Sequence, residues 1–395
     1  MMKHLKRLTA ALMAIAMVVC LSSTMAFATK TYPGVEDATD LGYKSYFCFG
    51  DSIATGYLTE QSDVDIRDVA IGQTLRDGET TYGAYPTMIA DALGLDVYDN
   101  PFGYFGNNNT TNNADAWSWN HGTYQFYNYA RDGLTSHDIR RMLDPSYYDQ
   151  MTEEEKNISD NICIDGDFTK RGMAGFKTMQ KHVRTDLAQA DVITIWFGSN
   201  DLLFYVLQTT LTIVNDHSLT DAVNAALSTV GIGGAFDTLL NVGALIGKMP
   251  LILANLTIQS TKANTNFAEN WDAILKIVNE VKKPTAKIYV GDIYNSNAGL
   301  KFTSTDQFRV GQLLGFSSMQ INNVIRNTSA YRSTYTVVNT SGVEEYLPDW
   351  EPIDQWQRAL DEGYFYTMFM VTAHPRFNGQ IYLANEFVKA MKANA

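Results

Sequence analysis

Residues 46–56, Tyr46 to Gly56, read YFCFGDSIATG. The first four are apolar or aromatic and run straight into Gly50-Asp51-Ser52. A short apolar run closed by turn residues is the pattern of a buried strand. Gly50 and the following Ala54-Thr55-Gly56 predict a sharp turn that leaves Ser52 at the C-terminal edge of a sheet. Open α/β sheets place their ligands at that edge. A serine hydroxyl is a weak nucleophile and needs a neighbouring base. The rest of the chain is therefore read for groups that would activate Ser52.

The first residues are set aside. Lys3, Lys6 and Arg7 precede the apolar run Leu8–Val19, and the small-x-small sequence Ala26-Phe27-Ala28 follows. Residues 1–28 read as a secretory signal peptide cleaved after Ala28, leaving residues 29–395 as one secreted, extracellular domain. A membrane span is the alternative, but the run is short and a cleavage site follows it. Val19 stands where a lipoprotein signal wants a small residue before Cys20.

The net charge is −13, and losing those three basic residues makes it more acidic still. Such a surface argues against nucleic-acid or anionic-membrane partners. No second apolar run reaches spanning length, so no stable membrane span is expected. Of the remaining cysteines, Cys48 lies inside the first strand and Cys163 far from it. Export permits a disulfide, and two separate buried thiols are the equal alternative. No HExxH or zinc-like cysteine spacing is present.

Beyond Ser52 the chain alternates. Asp63 to Gly78 reads as surface loop. Tyr85-Pro86 opens a helix that carries Met88, Ile89 and Leu93 before Gly94. Leu95–Tyr98 and Tyr124–Ala130 are strand candidates. Thr135 or Ser136 can cap a helix over Asp138–Leu143. Asp149–Asp160 reads as an acidic, solvent-facing linker, and Gly172–Ala188 as an amphipathic helix. Val192–Phe197 is almost wholly apolar, as an inner parallel strand would be. Helices at Asn266–Val281, Gln307–Val324 and Phe377–Met391 follow, with strands at Lys287–Val290 and Tyr335–Asn339 between them. Repeated helix–strand alternation predicts a doubly wound α/β domain.

Two stretches stand apart. Residues 99–123 set Phe102, Tyr104, Phe105, Trp117 and Trp119 on a background of Asn and Gly. They read as a long loop, either pinned by its own rings or offering them to a sugar. Residues 218–260 are apolar with few charges and hold helix candidates at 219–229, 235–246 and 250–259. They form either a helical cap over the active edge or an added core layer.

His374, in Thr-Ala-His-Pro-Arg, is the histidine with a distinctive context, because Pro375 sets a rigid turn before the last helix. His121, His137, His182 and His217 read as ordinary polar residues. Acyl transfer also needs donors aimed at a developing oxyanion. Three predicted strands end in such donors: Ser52 N–H, Gly133 N–H and the Asn200 side-chain amide. Taken singly, Gly133 and Asn200 also fit plain turns.

These blocks, in this order, resemble the SGNH (GDSL-like) hydrolases, a secreted lipase and esterase family. Gly50-Asp51-Ser52-Ile53 is similar to the family's nucleophile block. Asn128-x-Ala130-x-x-Gly133-x-Thr135 resembles the block whose glycine N–H lines the oxyanion hole. Gly198-Ser199-Asn200-Asp201 resembles the block whose asparagine is a further donor. His374-Pro375 with Gly379 resembles the block of the general base. The resemblance implies a three-layer α/β/α, flavodoxin-like hydrolase domain with a central parallel sheet and a mostly helical insertion. It further implies a cofactor-free serine hydrolase with catalytic Ser52, His374, Gly133 and Asn200, acting on a lipid, carbohydrate or other small-molecule ester.

One departure is plain. The family places Asp three positions before the histidine, where this chain has Val371, and residues 363–373 hold no acid at all. Either Asp354, Asp361 or Glu362 reaches His374, or a backbone carbonyl orients it in a dyad, or activity is lost. The competing class is a non-catalytic surface or glycan-binding protein that keeps the fold. No partner protein is indicated.

Overall fold

The computed structural model describes residues 34–56, 73–76, 79–82, 84–95, 126–131, 133–160, 172–203, 242–296, 298–299, 310–347 and 373–395. Five strands make one parallel sheet: β1 (Tyr46–Gly50), β4 (Phe126–Ala130), β5 (Val192–Trp196), β6 (Lys287–Gly291) and β7 (Thr336–Val338). Their order is β4-β1-β5-β6-β7. Every residue of β1, β4 and β5 is buried, as expected of inner parallel strands covered on both faces.

Alternation along β1 divides the layers. On one face Cys48 approaches the Tyr85 hydroxyl of α2 (Tyr85–Ala92), and Tyr85 stacks on Phe387 of α8 (Phe377–Ala393). On the other, Phe47 stacks on Tyr129, whose hydroxyl donates to Asp186 of α5 (Gly172–Leu187). That second layer also holds α3 (Ser136–Leu143) and the long α6 (Val242–Val281), whose Trp271 packs on Phe197. The expected three-layer α/β/α domain is what the chain forms.

Three expectations change in detail. The stretch read as surface loop, Asp63 to Gly78, contains a strand, β2 (Gln73–Arg76), which pairs antiparallel with β3 (Glu79–Tyr82) just beyond it. Asp77-Gly78 between them is a dipeptide that favours tight hairpin turns. The acidic linker holds α4 (Glu153–Asn157), opened by a capping box in which Glu155 N donates to Thr152 Oγ1 at 3.2 Å and Thr152 N to Glu155 Oε2 at 2.7 Å. It is not wholly solvent-facing, since Ile158 and Ser159 are buried and Asp160 pairs with Arg141.

The candidate helices at 250–259 and 266–281 are one helix, α6, which also takes in 242–246. Two of the polar residues between them donate to the helix's own carbonyls. Asn264 Nδ2 donates to Ser260 O and Thr265 Oγ1 to Thr261 O, each four residues back. The signal peptide, the strand candidate beyond Leu95, the loop 99–123, the helix candidate 219–229, most of 235–246 and Cys163 lie outside the described residues. Cys48 is free and buried.

Candidate active site

The parallel register brings three strand ends to one level. Gly50 of β1 pairs with Ala130 of β4 on one side and with Trp196 of β5 on the other. Ser52, Gly133 and Asn200 follow those residues closely, so all three leave the sheet at one edge. It is the edge where the order turns back on itself, with β4 and β5 on opposite sides of β1.

Ser52 opens the short α1 (Ser52–Thr55), and the buried Asp51 caps it by accepting from Ile53 N at 3.0 Å. Gly50 is required by a close approach: a Cβ there would stand 2.2 Å from that of Ala54. Asn128 staples α1 to β4, its Nδ2 donating to Ala54 O at 3.1 Å while its Oδ1 accepts from Ala130 N. The N–H of a first helical residue has no carbonyl partner within its helix. Ser52 therefore presents a hydroxyl and an N–H at one point.

Gly133 has φ +76°, a left-handed conformation that favours glycine. Asn200 is buried, and its Nδ2 donates to Leu134 O at 3.0 Å. An amide carries two N–H bonds, so that contact orients Asn200 and leaves a second hydrogen on the same nitrogen. The next residue, Asp201, accepts from Ser136 N at 2.9 Å and from the Ser136 hydroxyl. Burial pushes the Asp201 carboxyl up to about 7, against the opposing pull of those bonds. Thr135 and Asp138 form the capping box that opens α3 directly after Gly133.

His374 comes from the far end of the chain. Its Nε2 lies 2.9 Å from Ser52 Oγ, within hydrogen-bond distance. The turn that carries it is held by Tyr294, whose hydroxyl donates to Ala373 O at 2.7 Å. Full burial raises the Tyr294 phenol well above its ordinary range, which keeps that proton in place. Gly379 lets α8 close on the turn, because a Cβ there would stand 2.6 Å from that of Pro375.

The structure thus gathers Ser52, Gly133, Asn200 and His374 along one edge. His137 is elsewhere, buried in α3 with its Nδ1 2.6 Å from the Tyr147 hydroxyl, and burial lowers its pKa. His182 lies in α5, and His121 and His217 are outside the described residues. So are Asp354, Asp361, Glu362 and Val371, the positions that bear on a third catalytic member. Among the described residues no cluster of His, Cys, Asp or Glu could hold a metal ion. Nor is any helix among them long and apolar enough to cross a membrane.

Residues 46–343 match the model of the GDSL-like lipase/acylhydrolase family. The chain belongs to that family. It is, accordingly, an ester hydrolase by family, and the match begins at β1 itself. A search of curated proteins finds no match.

Among solved structures, phospholipase A1 from Streptomyces albidoflavus NA297 is similar at 13% identity and a TM-score of 0.41, covering 89% of this chain and all (100%) of that one. An extracellular lipase from Streptomyces rimosus is similar at 12% and 0.41, with the same coverage of 89% and 100%. The lipase Lip_vut3 from a goat rumen metagenome follows at 13% and 0.37, covering 88% and 96%. These likenesses are distant, and family membership rests on the sequence match alone. Asn128 and Asp201 stand in the sequence only as members of their blocks, and Tyr294 carries no local signal; their bonds to Ala54, Ser136 and Ala373 cross the fold.

Proposed function

We propose that the chain hydrolyses carboxylic esters through an acyl-enzyme, with Ser52 as nucleophile and His374 as general base. The observation that carries this reading is the 2.9 Å separation of His374 Nε2 from Ser52 Oγ. Ser52 Oγ attacks the ester carbonyl as its proton passes to Nε2. The tetrahedral oxyanion is stabilised by Ser52 N–H, Gly133 N–H and Asn200 Nδ2, donors held in place before the charge develops. His374 returns the proton to the departing alcohol. It then takes one from water, whose oxygen attacks the acyl-enzyme, and the proton goes back to Ser52 as the acid is released.

The substrate in this reading is an acyl ester of lipid type, favoured by the low charge of residues 218–260 beside the family's acylhydrolase character. A hydrophobic slot discriminates by about 0.8 kcal/mol per buried methylene. The kcat/KM for p-nitrophenyl esters should then rise from acetate through butyrate to octanoate. A strong preference for acetate, extended to acetylated xylan, would instead favour a carbohydrate deacetylase using the ring-bearing residues 99–123. Export is part of the proposal, and mass measurement of protein recovered from the medium should show cleavage after Ala28.

A further inference from the structure

Gln380 lies in the first turns of α8, shortly after His374, and its side chain is fully buried. Its amide makes two bonds, each to a different part of the active edge. Nε2 donates to Ile53 O at 3.2 Å, and Oε1 accepts from Tyr85 N at 2.9 Å. The orientation is dictated by chemistry, since a main-chain carbonyl only accepts and an N–H only donates.

Both partners matter. Ile53 follows Ser52 directly. Tyr85 begins α2 behind Ala84, which has no side chain able to cap that helix, so Gln380 supplies the missing acceptor. Ala84 in turn packs where a Cβ on Gly56 would collide at 2.9 Å, at the far end of the nucleophile turn.

Two bonds therefore join the same two short segments: His374 to Ser52, and Gln380 to Ile53. A single bond leaves one segment free to pivot about the other, whereas two fix both separation and angle. We propose that Gln380 is a positioning residue that sets the approach of His374 to Ser52, an inference that rests on reading this pair as base and nucleophile. Neither an apolar residue nor an ionised carboxylate can replace it. The first makes neither bond, and the second accepts from Tyr85 N but cannot donate to Ile53 O.

The test separates geometry from folding. Labelling of wild type by a fluorophosphonate, located at Ser52 by mass and absent in Ser52→Ala, checks the pair itself and counts competent sites. Turnover of p-nitrophenyl acetate is then expressed per labelled site. Gln380→Met should keep KM nearly constant and lose about tenfold or more in kcat, the scale on which small misplacements of reacting groups act.

Gln380→Glu should be impaired where its carboxyl is ionised and recover, relative to wild type at the same pH, as the carboxyl protonates and gains a donor. Taking that ratio removes the part of the pH profile that the two proteins share, and labelling at Ser52 across the same pH range reports any shift of His374. A side chain that merely holds the fold together would lower the melting temperature and the number of labelled sites, with kcat per site unchanged. That result, or a Gln380→Glu ratio that stays flat with pH, overturns the proposal. If Gln380→Met yields no folded protein, the pH dependence of Gln380→Glu decides alone. Failure of wild type to label at Ser52 overturns the pair instead, and is distinct from either result.

Discussion

His374 Nε2 stands 2.9 Å from Ser52 Oγ across 322 residues of sequence. Each partner is fixed by its own surroundings. Ser52 is held by Asp51 at the cap of α1 and by Asn128 on the Ala54 carbonyl. His374 is held by the Tyr294 bond to Ala373 and by the seating of Pro375 against Gly379. On the proposed reading of this pair as base and nucleophile, their geometry is set by the fold itself, which is the condition for catalysis by positioning.

Ser52→Ala and His374→Ala should each abolish turnover of p-nitrophenyl esters while leaving the circular dichroism spectrum and thermal midpoint close to wild type. Ser52 is half-buried and His374 buried, and the bond between them is one that either substitution removes at the sheet edge. Wild-type turnover by purified Ser52→Ala, with contaminating esterase excluded, would sink the assignment.

The oxyanion donors should behave differently from the nucleophile. Asn200→Ala should keep Ser52 reactive but lower kcat by roughly 10²–10³-fold, the measured scale for one such donor elsewhere. It also frees the Leu134 carbonyl, so a modest fall in stability should accompany the kinetic loss. Gly133→Ala places a Cβ at φ +76°, costing about 1–2 kcal/mol in backbone strain. Unchanged kcat in Asn200→Ala would remove that amide from the mechanism.

Asp186 gives a pH test independent of catalysis. Its carboxyl is buried beside the Tyr129 hydroxyl, and burial pushes it up to about 7 although the Tyr129 bond acts in the opposite direction. Between the ordinary carboxylate value near 4 and about 7, the folded state holds a proton that the unfolded chain has released. The stability contribution is fully present below about pH 4 and is lost as pH rises through about 7. Asp186→Asn keeps an acceptor for Tyr129 and does not titrate. Its urea midpoint should exceed wild type at pH 8 and converge with it at acid pH, and parallel curves would refute the point.

The elements most legible in the sequence were those whose signals are local. β1 is an apolar run and β5 an almost wholly apolar one, interrupted by Thr194, and glycine follows each run. Thr135 is one of the two residues in the sequence able to cap α3, and the family-like blocks sit at strand ends where turn residues announce them. What escaped notice was non-local. Ser260–Thr265 looked like an interruption because its side chains are polar, yet Asn264 and Thr265 bond back to their own helix. Gln380 and Tyr294 have no local signal, since their partners Ile53, Tyr85 and Ala373 lie far away in sequence.

In a Ser–His–acid triad the carboxylate fixes the imidazole tautomer and stabilises the imidazolium, and replacing it can cost about 10⁴ in kcat. Here the position three before His374 is Val371, and Gly363–Ala373 holds no acid. A main-chain carbonyl accepting from Nδ1 can set the tautomer, but it offers a dipole in place of a full charge. We therefore expect a dyad. Asp354→Asn, Asp361→Asn and Glu362→Gln should each leave kcat within a few-fold of wild type, while His374→Ala removes it. One replacement costing about a hundred-fold or more, in a protein that stays folded, would identify that residue as a displaced triad acid and overturn the dyad.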